Sequence, residues 1–334
     1  MKKYLLTIAF IAGIVAMGFS DEITAAEAGE ARGSGRTIYT FFFNYVSEPF
    51  RFPLFGFVNV ADGNHFLPQF GFVNINLGNF SSLQAGFVNF IRGNLSGVQT
   101  GFVNIVTGAD VNGAQFGFVN LSTGETDGSQ IGFVNIVDAD INGVQFGFVN
   151  AISGQLSGVQ LGFINIVDSL EGSSVPIGFI SIVRNGGYRA IEFMFSEFHP
   201  LALGIKLGVE RFYTTLSVAY NPFGDGGLRY LASGFGLGGI IPIGRSFHFN
   251  PELSFFSPVN GIHRNQHWLG FTPLFGFNIN RHFSIVAGPS ITWQTIWGNN
   301  DNELQSPAFY IVRHDINDRN AIVVGARAGL RLRF

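Results

Sequence analysis

Two hydrophobic patterns divide this chain. In the second half, apolar and polar side chains alternate with a period of two. Along the last strand, Ile322, Val324, Ala326, Ala328, Leu330, Leu332 and Phe334 share one face, and Val323, Gly325, Arg327, Gly329, Arg331 and Arg333 share the other. Phe247, Phe249, Leu253 and Phe255 likewise oppose His248, Asn250, Glu252 and Ser254. Successive side chains of a strand point to opposite faces, so these stretches predict strands with one apolar and one polar side. Eight such strands are expected from about Tyr188 to Phe334. Their connections alternate between tight turns and longer loops, and only the one at His199-Pro200 breaks the trend.

The first half carries a different period. Gly-Phe-Val-Asn begins at Gly56, Gly71, Gly86, Gly101, Gly117, Gly132 and Gly147, recurs as Gly-Phe-Ile-Asn at Gly162, and decays to Gly-Phe-Ile-Ser at Gly178. The spacing is 15 residues, with 16 at two steps. A regular repeat means one structural unit used many times. The unit reads Gly-Val-Gln-x-Gly-Phe-Val-Asn-Ile-Val, followed by turn residues, so each copy holds about ten residues of strand. That length matches the ~9–11 residues a tilted strand needs to cross a bilayer.

Two architectures fit this unit. In an antiparallel meander each repeat is one strand, continuous with the second half, and the ten repeat strands and eight C-terminal strands close one transmembrane β-barrel of about 18 strands. In the alternative, each repeat is one coil of an N-terminal β-solenoid attached to an eight-stranded C-terminal barrel. The meander is favoured because the charges between Leu54 and Val183 sit in the connections, and because the turns alternate in composition from one repeat to the next. One residue type resists it. Asn104 would share the lipid face with Phe102 near mid-strand, and a lipid-facing amide without a partner is costly. The expected fold class is all-β, with the 18-stranded barrel first and the solenoid plus barrel second.

Composition agrees with membrane strands. The chain has 334 residues, 39 of them Phe and 45 Gly, with only 12% charged side chains, against roughly 25% in an average soluble domain. The formal net charge of −3 gives no electrostatic reason to bind nucleic acid. Residues 1–20 read as a signal peptide, with Lys2 and Lys3 before an apolar core from Tyr4 to Phe19. Residues 21–37 read as a flexible segment, 38–184 as repeat strands and 188–334 as barrel strands. The absence of cysteine excludes a disulfide scaffold, a lipoprotein anchor and thiol chemistry.

Two resemblances bear on function. A terminal Phe closing an alternating strand (Leu330, Leu332, Phe334) resembles the assembly signal of bacterial outer-membrane β-barrels. The repeat, as in Gly97-Val98-Gln99-Thr100-Gly101-Phe102-Val103-Asn104, resembles bacterial surface-repeat proteins whose unit reads G-V-Q-x-G-L-V-N, here with Phe for Leu, over residues 54–183. That resemblance implies an envelope or surface protein and names no catalytic residue. The expected location is the outer membrane of a double-membraned bacterium, after export and signal-peptide removal. The expected partners are outer-membrane lipid and the barrel-assembly machinery, with no nucleic acid.

Candidate chemistry is sparse, and no cofactor or metal is expected. His263 and His267 have metal-like spacing but fall in a loop, as do the acidic Asp301 and Glu303. The glycine-rich Gly234–Gly239 run precedes no helix. Glu192, Lys206, Glu210, His248, Glu252, Arg327, Arg331 and Arg333 are expected to project into the barrel, lining a pore or forming a salt-bridged plug. The leading expectation is porin-like passive passage of small solutes, without enzymatic activity. A non-conducting surface or adhesion protein is the alternative, and an outer-membrane hydrolase the third reading.

Overall fold

The computed structural model describes residues 37–47, 50–108, 110–222, 230–259, 265–297 and 304–334. The signal peptide, nearly all of the flexible segment, His263, Asp301 and Glu303 lie outside them. Among the described residues every regular element is a strand. The chain divides into two compact units, Met1–Ile131 and Gly132–Phe334.

In the first unit the repeats pair in parallel and in register. Asn44 faces Asn59, Asn59 faces Asn74, Asn74 faces Asn89, Asn89 faces Asn104, and Asn104 faces Asn120. Repeats are thus coils of a β-solenoid, and the expected single barrel of about 18 antiparallel strands is corrected to the solenoid-plus-barrel alternative. Within the first unit the turns that seemed to alternate between two membrane sides stack along one edge, with Asn79 N donating to Asn64 Oδ1, Asn94 N to Asn79 Oδ1, Asp110 N to Asn94 Oδ1 and Glu125 N to Asp110 Oδ1. The extra residue between Gly101 and Gly117 is absorbed in that edge, because the Asn register continues unbroken across it.

The physical reason is the asparagine itself. Each Asn is fully buried, and its Nδ2 donates to the Oδ1 of the Asn one coil further on at 2.7–2.9 Å, from Asn44 through to Asn120. A second ladder joins Gln69, Gln84, Gln99, Gln115 and Gln130 at 2.6–2.9 Å. Buried amides need partners, and parallel stacking of identical coils supplies one at every step. An antiparallel meander would place the amides on alternating sides and leave them unpaired. Apolar side chains, among them Phe80, Ile91, Leu95, Val106 and Val111, pack in the interior beside the ladders. Outside, Phe42, Phe57, Phe72, Phe87, Phe102 and Phe118 form a column with centroids 4.9–5.2 Å apart and planes within 6°. That spacing is close to the distance between neighbouring strands.

Two glycines of the motif have separate reasons. Gly113 has φ +150°, a conformation costly for residues with a Cβ. At Gly117 a Cβ would stand 2.5 Å from both the Gly101 carbonyl oxygen and Asn104 Nδ2. The repeat therefore keeps Gly at both places, which lets one coil approach the next.

His65 adds a pH-sensitive point to this unit. Its ring is buried between Phe50 and Phe80, at centroid distances of 6.4 and 6.2 Å, and its Nε2 has no partner. Burial holds its pKa below the ordinary 6.5. The unfolded chain then takes up a proton that the folded site resists, so stability falls as pH drops through and below about 6.5 and is unaffected well above it. Protection from hydrogen exchange around 58–80, corrected for intrinsic rates, should fall between pH 7.5 and 5.5. In His65→Phe that fall should disappear.

The second unit holds the last coils and the barrel. Val134–Val137 and Val175–Val183 pair in parallel with the long strand Ile141–Leu170, matching Asn135 with Asn150 and Asn165 with Ser181. After it come the eight strands expected from the alternation: β1 Tyr188–Phe195, β2 Leu201–Val209, β3 Phe212–Asn221, β4 Tyr230–Gly238, β5 Phe247–Pro258, β6 Gln266–Asn278, β7 Phe283–Ile296 and β8 Asn320–Arg333. Each is antiparallel to the next, and β8 returns to β1 with Arg331 opposite Glu192. Eight strands leave an interior that side chains can fill. Tight connections such as Glu210-Arg211 lie at one rim. The Ser196–Pro200 connection, which broke the length trend, is folded inward and buried at the other.

Candidate functional site

The alternation decides what enters the barrel. Along β2, Leu203 and Ile205 point outward, with Leu203 55% exposed, while Ala202 and Lys206 point in and are buried. Along β5, His248, Asn250, Glu252 and Ser254 point in while Phe247 and Leu253 point out. Outward apolar residues recur on every strand from β1 to β8, among them Phe193, Val218, Leu231, Phe271, Phe275, Ile285, Ile291 and Leu330.

Inside, four charges meet. The Glu192 carboxylate on β1 accepts from Arg331 Nε at 2.7 Å and lies 3.0 Å from Lys206 Nζ. Lys206 Nζ also donates to Glu252 at 2.5 Å and to Thr215 Oγ1 at 3.1 Å, and stands 4.7 Å above the Tyr213 ring. Tyr213 Oη donates to Glu252 at 3.1 Å and accepts from Asn250 Nδ2 at 2.6 Å, and Asn250 Oδ1 accepts from Arg331 Nη2 at 2.7 Å. Two cations and two carboxylates thus balance, and the network ties together β1, β2, β3, β5 and β8. Burying charge is costly unless it is paired, and here each of the four charged groups has an oppositely charged partner.

Apolar layers lie beyond the charges. In one of them Tyr188, Ala190, Tyr213 and Ile240 pack together. In the other, Phe198 from the inturned connection packs with Ala202, Ala219, Ala232, Phe256, Trp268 and Val323. Glu197 beside it accepts from Thr292 Oγ1 at 2.6 Å, and its carbonyl accepts from Ala308 N at 2.8 Å. Between these layers Arg327 Nη1 donates to Ser254 Oγ at 2.6 Å. The interior void bordered by Glu192, Ser196, Thr215, Glu252, Ser254 and Arg327 measures about 20 Å³, room for about one water.

The sequence-predicted residues are therefore placed in three ways. Glu192, Lys206, Glu252, Arg327, Arg331 and His248 are inside, and the first three join Arg331 in the network. Glu210 and Arg333 pair at 2.5 Å at the rim, with Glu210 half exposed in a turn and Arg333 4.8 Å over the buried Tyr188 ring on the inner face. Leu330, Leu332 and Phe334 lie on the outer face. In the solenoid, Gly101 allows the close coil approach, Phe102 stands in the outer column, Val103 pairs with Val119 of the next coil and Asn104 is a rung of the ladder.

Other participants were not singled out from the sequence. Asn250 and Ser254 stood on the same polar face as Glu252 and were legible there. Tyr213 carried only the weak signal of its parity with Thr215. Glu197 and Phe198 gave none beyond the odd length of their connection. Among the described residues no three His, Asp or Glu gather as metal donors. Comparison with family models, curated proteins and solved structures finds no match to this chain.

Proposed function

We propose that this chain is a non-conducting surface protein of a bacterial outer membrane, in which the barrel is the lipid-embedded anchor and the repeat array is structural. The observation that carries this reading is the barrel's inside-out polarity. Its outer wall carries exposed apolar residues on all eight strands, and among the described residues its interior holds a paired charge network and apolar layers, with a cavity of about 20 Å³ beside Arg327. That polarity suits lipid outside. Porin-like passage of small solutes would require the network and the Phe198 layer to move aside. The likeness of residues 54–183 to surface-repeat proteins supports the same reading, and Phe334 on the outer face suits an assembly signal read by the barrel-assembly machinery. The location, like the removal of residues 1–20 on export, is part of the proposal.

Planar-bilayer recording on the purified, demonstrably inserted protein tests it. The expected result is no steady ohmic steps. Reproducible unitary conductance would overturn the reading and restore passive solute passage.

A further inference from the structure

The last coils carry an apolar outer face that neither the anchor nor the repeat array accounts for. Phe133, Phe148, Phe163 and Phe179 form a column with centroids 4.8–5.0 Å apart and planes within 5°. The outer edge of Phe148 remains 43% exposed, and Val144, Phe146, Val159 and Leu161 are exposed beside the column. Between Ile141 and Val167 there is no charged residue at all; the charges nearest in sequence are Asp138 and Asp140 in a turn and Asp168 near the end of the strand. Proteins in water seldom leave so long an apolar strip uncovered.

The column does not end with the solenoid. Phe179 stacks on Phe235 of β4 at 4.8 Å and 9°, and Phe235 belongs to the outward face of the barrel. The last coil is held there by Arg189, which donates to the Val183 carbonyl at 2.7 Å, and by an apolar cluster that Val209 shares with Val137, Ile152, Val167 and Val183. Where coil and wall meet, an apolar groove of about 510 Å³ is lined by Phe179, Leu203, Ile205, Val218, Phe235 and Phe255. Leu203 and Val218 are among the most exposed apolar residues of the barrel wall.

We propose that this phenylalanine column faces lipid acyl chains, so that coils 132–183 lie beside the barrel in the hydrocarbon, with the groove at the junction holding an acyl chain. The inference rests on the reading of the barrel as a membrane anchor. The coils meet the main requirement of that environment, because their backbone groups pair within the parallel ladder. Their buried amides also pair with one another, Asn135 with Asn150 at 2.8 Å, Asn150 with Asn165 at 2.9 Å, and Gln160 with Gln145 at 2.9 Å. Charge is confined to the turns and to the strand end at Asp168, as is expected where a membrane segment reaches the interface. A second copy of the chain covering the same column is the competing occupant.

The absence of cysteine makes the test clean. Phe148→Cys, Phe163→Cys, Phe275→Cys on the outer face of β6, and Asp138→Cys in a turn would each be labelled with an environment-sensitive fluorophore. Each would be placed in phosphatidylcholine vesicles with and without nitroxide on the acyl chains. Positions 148 and 163 should be quenched to within about two-fold of position 275, as expected for sites in one hydrocarbon layer. Position 138 should escape quenching and react with a membrane-impermeant maleimide. Quenching at 275 without quenching at 148 and 163 overturns this inference alone. Loss of quenching at 275 as well overturns the anchor reading beneath it. Protection at 148 that depends on protein concentration and not on nitroxide lipid assigns the column to a second copy and overturns it too.

Discussion

Glu192→Ala should destabilise the barrel by about 3–5 kcal/mol, the usual cost of breaking a buried ion pair from one side. Glu192 is the carboxylate that Lys206 and Arg331 share. Without it, Lys206 retains Glu252, but Arg331 keeps only the neutral Asn250 oxygen among the partners described above. The network then holds two cations, Lys206 and Arg331, against one carboxylate, Glu252. The loss should appear as a lower urea midpoint for the folded, heat-modifiable species on cold electrophoresis. The cost lies in the orphaned charge and not in the missing contact, so the double variant Glu192→Gln with Arg331→Met should recover much of the stability. Replacement of a buried pair by uncharged groups of similar volume is often neutral. If the single variant unfolds no more readily than the parent, the charges are hydrated and the interior is not the sealed layer described above. That result would also weaken the argument against conduction.

The barrel was legible in the sequence because its signal is local. Eight alternating segments gave eight strands, and side-chain parity placed Glu192, Lys206, Glu252, Arg327 and Arg331 inside. Parity could not reveal their partners. The Glu192 to Arg331 contact depends on ring closure between the first and last barrel strands, 139 residues apart. The contact from Lys206 to Glu252 crosses the interior between strands that are not neighbours. The rim position of Glu210 and Arg333 was hidden for the same reason, since parity assigns a face but not a depth along the strand. The inturned Ser196–Pro200 connection carried no periodicity at all.

In the repeats, local signals pointed both ways. Uncharged strand faces suit a membrane meander and equally suit stacked coils whose outer column is phenylalanine. Turn composition alternated, yet within the first unit those turns share one edge. The expectation that charges keep to the connections needs a small adjustment, because Asp62, Asp127 and Asp168 stand at strand ends. The decisive residue was the mid-strand Asn, whose demand for partners is non-local and is met by the amide and a backbone carbonyl of the next coil.

That demand fixes the size of the last expected effect. Asn104→Leu keeps the volume of the side chain and removes three hydrogen bonds. Asn104 Nδ2 donates to Asn120 Oδ1 and to the Phe116 carbonyl, both at 2.9 Å, and Asn104 Oδ1 accepts from Asn89 Nδ2 at 2.8 Å. Asn89 keeps its bond to the Thr100 carbonyl at 2.9 Å, so its loss is partial. Each buried group left without its partner costs about 1–3 kcal/mol, which puts the substitution at roughly 2–6 kcal/mol. A solenoid transmits such a loss to both neighbours, because each coil is stabilised mainly by the ones beside it. Hydrogen exchange over residues 83–122 should therefore accelerate as a block, on both sides of position 104. Acceleration confined to residues next to Asn104 would mean that the backbone ladder and the phenylalanine column hold the coils without the amides. Unchanged protection would remove the Asn ladder as the reason the repeats stack in parallel.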